Sequence, residues 1–267
     1  MTRDANFRKL HAGPGLLVLP NAWDAGTARL VADLGAAAIA TTSSGVAWSL
    51  GHRDGDRLPV DLHLATVRNI VRTVDLPVTV DIEGGYGAEP GSVGQVVARF
   101  IDAGAVGINL EDGQSAPDLA CRKIEAAKAA GLRAGVDLFV NARTDVYLKG
   151  LAPGREVEEV LDRAARYAAA GCDGLFVPNL LDPAGIAAVC GGTGLPLNVM
   201  ARPGLPPAAA LAELGVRRLS AGGALAQAAL GHVRGLAAAL LAGDCSRLFD
   251  DALPYAAANA LFPDRTG

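Results

Sequence analysis

Short apolar runs recur along the chain, and each is followed by a polar or glycine-rich loop and then by a longer alanine-rich stretch with helical spacing. The runs, in order, are LLVLP (16–20), AAIATT (37–42), VTVDIE (78–83), GINLED (107–112), FVNAR (139–143), GLFVP (174–178), LPLNVMA (195–201) and RRLSAGG (217–223). Short strands that alternate with longer helices are typical of βαβ units and a parallel sheet. About eight such units is the count expected of a (β/α)8 TIM barrel, so we predict that fold, in the α/β class.

The ends of the predicted helices support the same arrangement. Several end at an Ala-Gly or Leu-Gly pair just before the next strand, as in ADLGAAAI and AAGCDGLF, where glycine can adopt the left-handed cap conformation. The main alternative is an open, doubly wound sheet. The barrel is favoured because no GxGxxG follows the first strand and because polar residues recur at the ends of several different strands.

Length and composition predict one domain. The chain has 267 residues, of which 51% are hydrophobic, enough for a single large core, although two smaller domains would also fit the length. No linker, low-complexity tract or run of like charge divides it, so we predict one barrel domain over residues 1–267. From about residue 224 the sequence predicts an amphipathic final helix and an apolar extension, packed on the core or against another subunit.

Charge and cysteine usage exclude some classes of partner. The formal net charge is -4, and lysine and arginine are scattered rather than clustered, so we predict no nucleic-acid binding. The amino terminus lacks a signal-peptide pattern, and no uninterrupted apolar stretch approaches membrane-spanning length, so we predict a cytoplasmic protein without a membrane partner. The four cysteines show no CxxC or metal-ligand spacing and are expected to be reduced.

Two carboxylates lie on alternate residues of one predicted strand. In VTVDIE (78–83) aliphatic and polar residues alternate, and a period of two sends the two sets to opposite faces. In a barrel the aliphatic face meets the helices. We therefore expect Asp81 and Glu83 to point inward at the carboxyl end of the strand, where barrel enzymes hold their active sites.

The same alternation places further polar residues inside other strands. It predicts that Asn109, Glu111, Asn141, Arg143 and Asn198 face inward. Acids, amides and an arginine from separate strands would then converge on one rim of the barrel. This convergence predicts a polar site at that rim.

Carboxylates brought together in a poorly solvated mouth repel one another unless something neutralises them. A hard divalent cation is the simplest answer, and because no histidine or cysteine accompanies the acids, we favour Mg²⁺, or Mn²⁺, over zinc. The alternative is that Asp81 and Glu83 form structural ion pairs with an arginine: Arg53, Arg143 or Arg202.

The loop after the second strand, TTSSGVAWSLGHRDGD (41–56), is too polar and glycine-rich to continue a core strand. Its small residues Ser43, Ser44 and Gly45 can present backbone N–H groups to an anion, although such clusters also occur in ordinary turns. Asp54 and Asp56 add carboxylates above the barrel mouth.

Four ordered motifs, SSGVAWSLGHRDGD, VDIEGGYG, GINLEDG and NARTDVYL, resemble those of the isocitrate lyase and phosphoenolpyruvate mutase superfamily. The resemblance extends from about residue 19 to about residue 225. It implies a Mg²⁺-dependent barrel that acts on a 2-oxo acid, on a 2-hydroxy diacid that releases one, or on a phosphonate analogue. It also implies a homodimer or homotetramer in which the last helix is exchanged between subunits.

The resemblance assigns roles to individual residues of this chain. Asp81 would be the direct metal ligand, and Asp54, Glu83 and Glu111 would hold the metal's water molecules. The predicted substrate-binding set is Ser44, Gly45, Val46, Arg143 and Asn198, with Arg143 facing the anionic end of the substrate and Asn198 taken from its inward position in PLNVM. Tyr86, in GGYG, is a candidate acid beside the site, with a packing role as the alternative.

The chain departs from the superfamily in its bond-breaking residues. The Lys-Lys/Arg-Cys-Gly-His segment of the lyases is absent, and so are the lysine and the asparagine or threonine of the phosphonomutase gating loop. The polar residues there are Gln114, Ser115 and Asp118, while Cys121 is expected to start a helix rather than to react. Thr42 and Glu83 replace the usual aromatic residue and second aspartate.

Three functions follow from this pattern. The leading hypothesis is a Mg²⁺-dependent lyase that cleaves a carbon–carbon bond of a small 2-oxo or 2-hydroxy diacid through an enolpyruvate-like intermediate. The alternative is phosphorus–carbon chemistry on a phosphonopyruvate-like substrate. The third is a barrel that binds 2-oxo acids without catalysis. A Schiff-base aldolase is disfavoured because no lysine lies in a predicted strand.

Overall fold

A computed structural model of the chain, in which residues 1–262 are described, contains nine parallel strands in a nearly closed barrel. The strands are β1 (Leu17–Leu19), β2 (Asn21–Ala22), β3 (Ile39–Thr41), β4 (Val78–Asp81), β5 (Gly107–Glu111), β6 (Phe139–Arg143), β7 (Gly174–Phe176), β8 (Leu197–Met200) and β9 (Arg218–Ser220). The helices are α1 (Arg3–Ala12), α2 (Ala25–Asp33), α3 (Ser43–Ser49), α4 (Val60–Thr73), α5 (Pro90–Asp102), α6 (Pro117–Ala134), α7 (Val146–Lys149), α8 (Glu156–Ala169), α9 (Pro183–Gly192), α10 (Ala208–Glu213), α11 (Ala224–Leu241) and α12 (Tyr255–Ala260).

The barrel prediction is confirmed, with a broken first strand. The strand order is β1-β9-β8-β7-β6-β5-β4-β3-β2, so β1 and β2 lie at the two ends of the sheet. They are consecutive in the chain and separated only by Pro20, which has no N–H to donate to a neighbouring strand. Together they occupy one of eight positions around the ring, so β4 stands opposite β8 with three positions between them on either side.

The aliphatic face of β4 packs outward, as its alternation predicts. Val78 and Val80 are fully buried and belong to one apolar cluster with Leu64 of α4 and Phe100 of α5. The strand itself is shorter than predicted, however, because it ends at Asp81, and Glu83 adopts a left-handed backbone conformation with φ 52°. Glu83 is therefore positioned by a turn and not by the alternation of the strand.

Helix α1 closes the amino-terminal end of the barrel. Phe7 packs edge-on against Phe139 with ring centroids 5.5 Å apart, and His11 stacks on Phe139 at 4.1 Å. Phe7 is fully buried in a cluster formed by residues at the starts of several strands. Helix α1 therefore covers the residues at this end of the barrel with aromatic packing.

Helix α11 is the least covered long helix among residues 1–262. Ala226 is its one buried residue, and the apolar side chains of Leu230, Val233 and Leu241 are 56%, 60% and 90% exposed. With 18 residues and a mean hydropathy of 1.3, it is long and apolar enough to cross a membrane by length and composition alone. The expectation that no uninterrupted apolar stretch approaches that length still holds for this helix, because Gln227, His232 and Arg234 interrupt its apolar residues.

Candidate active site

A cavity of about 220 Å³ opens at the carboxyl ends of the strands. Its lining includes polar residues that the sequence places at strand ends or in the loop after the second strand: Thr42, Ser43, Ser44, Asp54, Asp81, Asn109 and Arg143. Other side chains in its wall are Asn21, Trp48, Phe176, Met200, Arg202 and Gln227. The cavity is therefore polar and carries both acidic and basic groups.

Asp81 is oriented by two hydrogen bonds. The N–H of Ser43, at the start of α3, donates to its Oδ2 atom at 3.1 Å, and the N–H of Asp81 donates to Thr41 Oγ1 at 3.0 Å. Helix α3 begins directly after β3, and β3 pairs with β4, so the start of this helix lies beside the end of β4. The contact links the first residue of α3 to the last residue of β4.

The acids around Asp81 destabilise one another's charged forms. Burial raises the pKa of Glu83 to about 7, and the nearby Asp54, Asp56 and Asp81 add to the effect. Burial likewise raises the pKa of Asp54, with Asp81 adding to it. The N–H of Asp56 donates to Glu83 Oε2, which ties the loop after α3 to the turn after β4. The cluster offers only oxygen ligands. The described residues do not fully neutralise its negative charge.

This cluster fits a cation that keeps most of its water molecules. No three His, Cys, Asp or Glu side chains within residues 1–262 converge closely enough to hold a metal ion directly. Mg²⁺ is commonly held by one or two carboxylates and several water molecules. The described acids therefore do not form a direct three-ligand metal site, and their oxygen-only set would suit a cation that keeps most of its water molecules.

Arg143 lies at the end of β6 and makes two ion pairs. Its Nη1 atom is 2.6 Å from Glu111 Oε2, and its Nε atom is 2.7 Å from Asp145 Oδ1. Burial disfavours the charge of Arg143, but Glu111 and Asp145 more than offset this and raise its pKa. Burial acts to raise the pKa of Glu111, and the adjacent Arg143 guanidinium acts to lower it. Arg143 therefore enters the cavity already paired with two acids.

A buried network supports Arg143 from behind. The N–H of Asp145 donates to Asp112 Oδ1 at 2.9 Å, and Asp112 Oδ2 accepts from Arg163 Nη1 at 2.7 Å and from Tyr167 Oη at 2.6 Å. Sequence reasoning missed these positioning residues. Asp112 and Asp145 stand within two residues of a predicted site residue, which is a signal that could have found them, whereas the partners on α8 lie more than 50 residues from Asp112.

Of the predicted substrate-binding segment Ser44, Gly45 and Val46, only Ser44 lines the cavity. The Ser44 hydroxyl lies 3.0 Å from Thr42 Oγ1. Val46 is fully buried, and its N–H donates to the Thr42 carbonyl oxygen within the first turn of α3. Gly45 is also buried, and a Cβ atom there would lie 2.8 Å from Thr42 Cγ2 and from Trp23 Cβ. Its observed role is to allow this close packing.

Glu83 and Glu111 are not among the residues that line the cavity, and three further candidate residues also lie outside its wall. Asn198 is fully buried in β8, and its amide nitrogen is placed to donate to the Val199 and Arg218 carbonyl oxygens at 3.1 Å each. Tyr86 Oη is 2.8 Å from His63 Nδ1, and burial raises the pKa of Tyr86, which favours the packing alternative. Cys121 Sγ contacts the Arg166 carbonyl oxygen at 3.7 Å, and burial raises its pKa, as expected of an unreactive thiol.

Arg218 lies inside the barrel below the cavity and was not singled out by sequence reasoning. It is 1% exposed, and its Nη2 atom donates to Asn109 Oδ1 at 3.3 Å. Asn141 Nδ2 donates to the same oxygen at 2.9 Å. Burial lowers the pKa of Arg218 to about 10, although Asp81 acts in the opposite direction. These two donors occupy the Asn109 oxygen, and no partner within residues 1–262 occupies its amide nitrogen, which can donate into the cavity.

Comparison with known proteins places this geometry among related enzymes. Residues 7–241 match the family model described as phosphoenolpyruvate phosphomutase. A "probable 2-methylisocitrate lyase 2" of Corynebacterium glutamicum is 30% identical over 85% of this chain and 77% of its own length. The matches therefore include a family named for phosphorus–carbon chemistry and a relative named as a carbon–carbon lyase.

Two solved structures share the fold over most of their length. A "putative phosphonomutase" from Burkholderia cenocepacia J2315 is 46% identical, with a TM-score of 0.84, and the match covers 88% of this chain and 98% of that one. A phosphonopyruvate hydrolase in complex with oxalate and Mg²⁺ is 26% identical, with a TM-score of 0.85, over 98% of this chain and 95% of that one. The similarity therefore includes nearly all of the barrel.

Proposed function

The chain belongs to the phosphoenolpyruvate phosphomutase family, a family of enzymes, and we propose that it is a Mg²⁺-dependent lyase. In this proposal it cleaves a carbon–carbon bond of a small 2-oxo or 2-hydroxy diacid through an enolpyruvate-like intermediate. The observation that carries the proposal is the all-oxygen acid cluster around Asp81 at the rim of a polar cavity that also contains Arg143. A named lyase among the relatives supports carbon–carbon cleavage.

The residues that would hold Mg²⁺ are Asp81 directly and Asp54, Glu83 and Glu111 through water. When bound, the cation would draw charge from the 2-oxo and carboxylate oxygens of the substrate and so stabilise an enolate. The phosphonopyruvate hydrolase complex supports this choice, since that relative contains Mg²⁺ and oxalate, a planar dicarboxylate. Mn²⁺ satisfies the same oxygen ligands.

The chain's own groups would bind and orient the substrate. The Ser44 hydroxyl and the amide of Asn109 line the cavity and can donate hydrogen bonds to its oxygens. Arg143 uses three of its five N–H donors on Glu111 and Asp145, which leaves two for an anionic group. Trp48 and Phe176 add apolar surface that limits the access of water.

The second candidate is cleavage or rearrangement of a phosphorus–carbon bond. It is favoured by the similarity to a phosphonopyruvate hydrolase and by the arginine donors in the cavity, which suit a phosphonate as well as a carboxylate. A binding barrel without catalysis is the third candidate. It is favoured by the short connection between β5 and α6, residues 112–116, where no lysine, cysteine or histidine is present.

A turnover screen followed by mass spectrometry distinguishes the three candidates. Purified protein with Mg²⁺ is incubated with oxaloacetate, malate and citrate derivatives, isocitrate, methylisocitrate and phosphonopyruvate. Asp81→Asn and Asp81→Ala should abolish turnover, while Asp102→Asn, an exposed acid at the end of α5, should retain it. Phosphate or a rearranged phosphonate among the products would select the second candidate. An active Asp81→Ala protein would overturn the metal assignment.

We also propose a cytoplasmic homodimer or homotetramer in which α11 is exchanged between subunits. The exposed apolar face of α11 supports a protein partner for this helix. Its mid-helix residues His232 and Arg234 are costly in the centre of a lipid bilayer, which disfavours membrane insertion. Sedimentation of the native chain and of Leu230→Asp/Val233→Asp tests the assembly: the double variant should sediment as a smaller species.

A further inference from the structure

Acidic and basic side chains lie on opposite sides of the cavity. Asp81 ends β4, and Asp54 lies in the loop after α3, so the acids cluster on one side. Arg202 lines the same cavity from the loop after β8, the strand that stands opposite β4 in the ring. A molecule in this cavity therefore meets acids at one end and a guanidinium at the other.

Arg202 differs from Arg143 in having no acid to neutralise it. Arg143 is ion-paired with both Glu111 and Asp145. Among the described residues Arg202 makes no ion pair, and its Nη1 atom donates at 3.0 Å to Asn179 Oδ1, a neutral amide. It is the uncompensated cation of the cavity wall, with most of its N–H donors unused.

The contact with Asn179 gives Arg202 a defined direction. Asn179 follows β7 in a left-handed backbone conformation with φ 69°, and its own Nδ2 atom donates to the Tyr147 carbonyl oxygen at 3.4 Å. Asparagine tolerates this conformation better than most residues do. The loop after β7 thus offers an oxygen to a guanidinium that would otherwise extend freely into solvent.

We infer that Arg202 binds the distal anionic group of the substrate and so determines which substrates are accepted. This inference rests on the proposed function, in which the 2-oxo acid end of the substrate lies at the Asp81 side. The cavity volume of about 220 Å³ is below the range of drug-sized ligand sites and suits a small molecule. The substrate class is therefore a 2-oxo or 2-hydroxy acid with a second carboxylate or a phosphonate at its far end.

Three ligands with the same 2-oxo acid end and different tails test the inference. Oxaloacetate carries a carboxylate tail, phosphonopyruvate a phosphonate tail and 2-oxobutyrate an uncharged methyl tail, while oxalate has no tail. Dissociation constants are measured by thermal-shift titration in Mg²⁺ for the native protein, Arg202→Gln and Arg202→Lys. Arg133→Gln, an exposed arginine in the last turn of α6, is the matched control for the loss of one positive charge.

Arg202→Gln should raise the dissociation constant of at least one anionic-tail ligand roughly tenfold to a hundredfold, because a hydrogen bond between charged groups is lost. Arg202→Lys should restore part of that affinity, and oxalate and 2-oxobutyrate should bind all variants alike. The tail that loses more affinity identifies carboxylate or phosphonate as the preferred group. Arg133→Gln should match the native protein throughout.

Two other outcomes overturn the inference, and they are distinguishable. Arg202 does not recognise the tail if Arg202→Gln binds all four ligands as the native protein does. The same conclusion follows if the variant loses as much affinity for oxalate as for the anionic-tail ligands. In both cases the proposed function stands. If the native protein binds none of these acids in Mg²⁺, the proposed function itself fails, and the role of Arg202 falls with it.

Discussion

Arg143 and Asp145 form a bidentate ion pair at the end of β6. Arg143 Nε donates to Asp145 Oδ1 at 2.7 Å, and Arg143 Nη2 donates to Asp145 Oδ2 at 3.2 Å. Because two parallel hydrogen bonds determine the plane of a guanidinium, this pair sets the direction of the remaining Arg143 donors. The side chain of Asp145 is fully buried, so the direction is maintained by the fold rather than by solvent.

Asp145→Asn should weaken substrate binding through Arg143. The amide keeps one hydrogen-bond acceptor but loses the negative charge and one of the two hydrogen bonds to Arg143. We therefore expect kcat/KM to fall roughly tenfold to a hundredfold, and the free energy of unfolding to fall by about 1–3 kcal/mol. Steady-state kinetics and urea unfolding measure the two effects. Asp162→Asn, on the exposed face of α8, is the control and should change neither. Native kinetics in Asp145→Asn would mean that Asp145 does not position Arg143.

Gly45→Ala should destabilise the protein through overpacking. An added Cβ atom would lie 2.8 Å from both Thr42 Cγ2 and Trp23 Cβ, too close for a methyl group, so unfolding should become easier by about 1–3 kcal/mol. The comparison is Gly191→Ala, within α9, where no heavy atom lies within 4 Å of the added Cβ and alanine should be neutral or stabilising. Equal stability of the two variants in urea would contradict the packing account.

Tyr86→Phe tests whether Tyr86 acts as a catalytic acid or only packs beside the site. The change removes the hydrogen bond between Tyr86 Oη and His63 Nδ1 and keeps the ring beside Phe100. We expect a loss of about 1 kcal/mol in the free energy of unfolding and turnover within a few-fold of the native protein. A loss of turnover of about a hundredfold or more, with stability unchanged, would instead assign Tyr86 a role as acid.

The stability of the metal-free protein should fall as the pH rises. In the folded state burial and the neighbouring acids raise the pKa of Glu83 from 4.5 to about 7. Between about pH 4.5 and pH 7 the folded state therefore holds a proton that the unfolded chain has released, which lowers stability with increasing pH.

Mg²⁺ should reverse this trend, since it binds the ionised carboxylates. The rise in Tm on adding Mg²⁺ should be larger at about pH 8.5 than at about pH 6, as measured by thermal melts at constant ionic strength. Glu83→Gln, which cannot ionise, should show a smaller pH dependence in the metal-free state. Identical Mg²⁺ shifts at both pH values would show that these carboxylates do not bind the ion.

Parts of the site were predictable because strand alternation is local. Asp81, Asn109 and Arg143 end or lie in strands, and the period of two that sends Val78 and Val80 outward sends them toward the cavity. Alternation failed beyond the strand ends. Glu83 lies in a left-handed turn, and Asn198, which does lie in a strand, hydrogen bonds within the barrel wall instead of reaching the cavity.

The sequence by itself determined the fold class and the acid-bearing rim, because both follow from local periodicity repeated along the chain. Only the tertiary structure decided which groups face one another across the cavity. The position of Arg202 opposite Asp81, the support of Arg143 by Asp112 and α8, and the burial of Arg218 under Asn109 all depend on closure of the ring. Closure joins residues more than 100 positions apart, and such pairings leave no periodic pattern in the sequence.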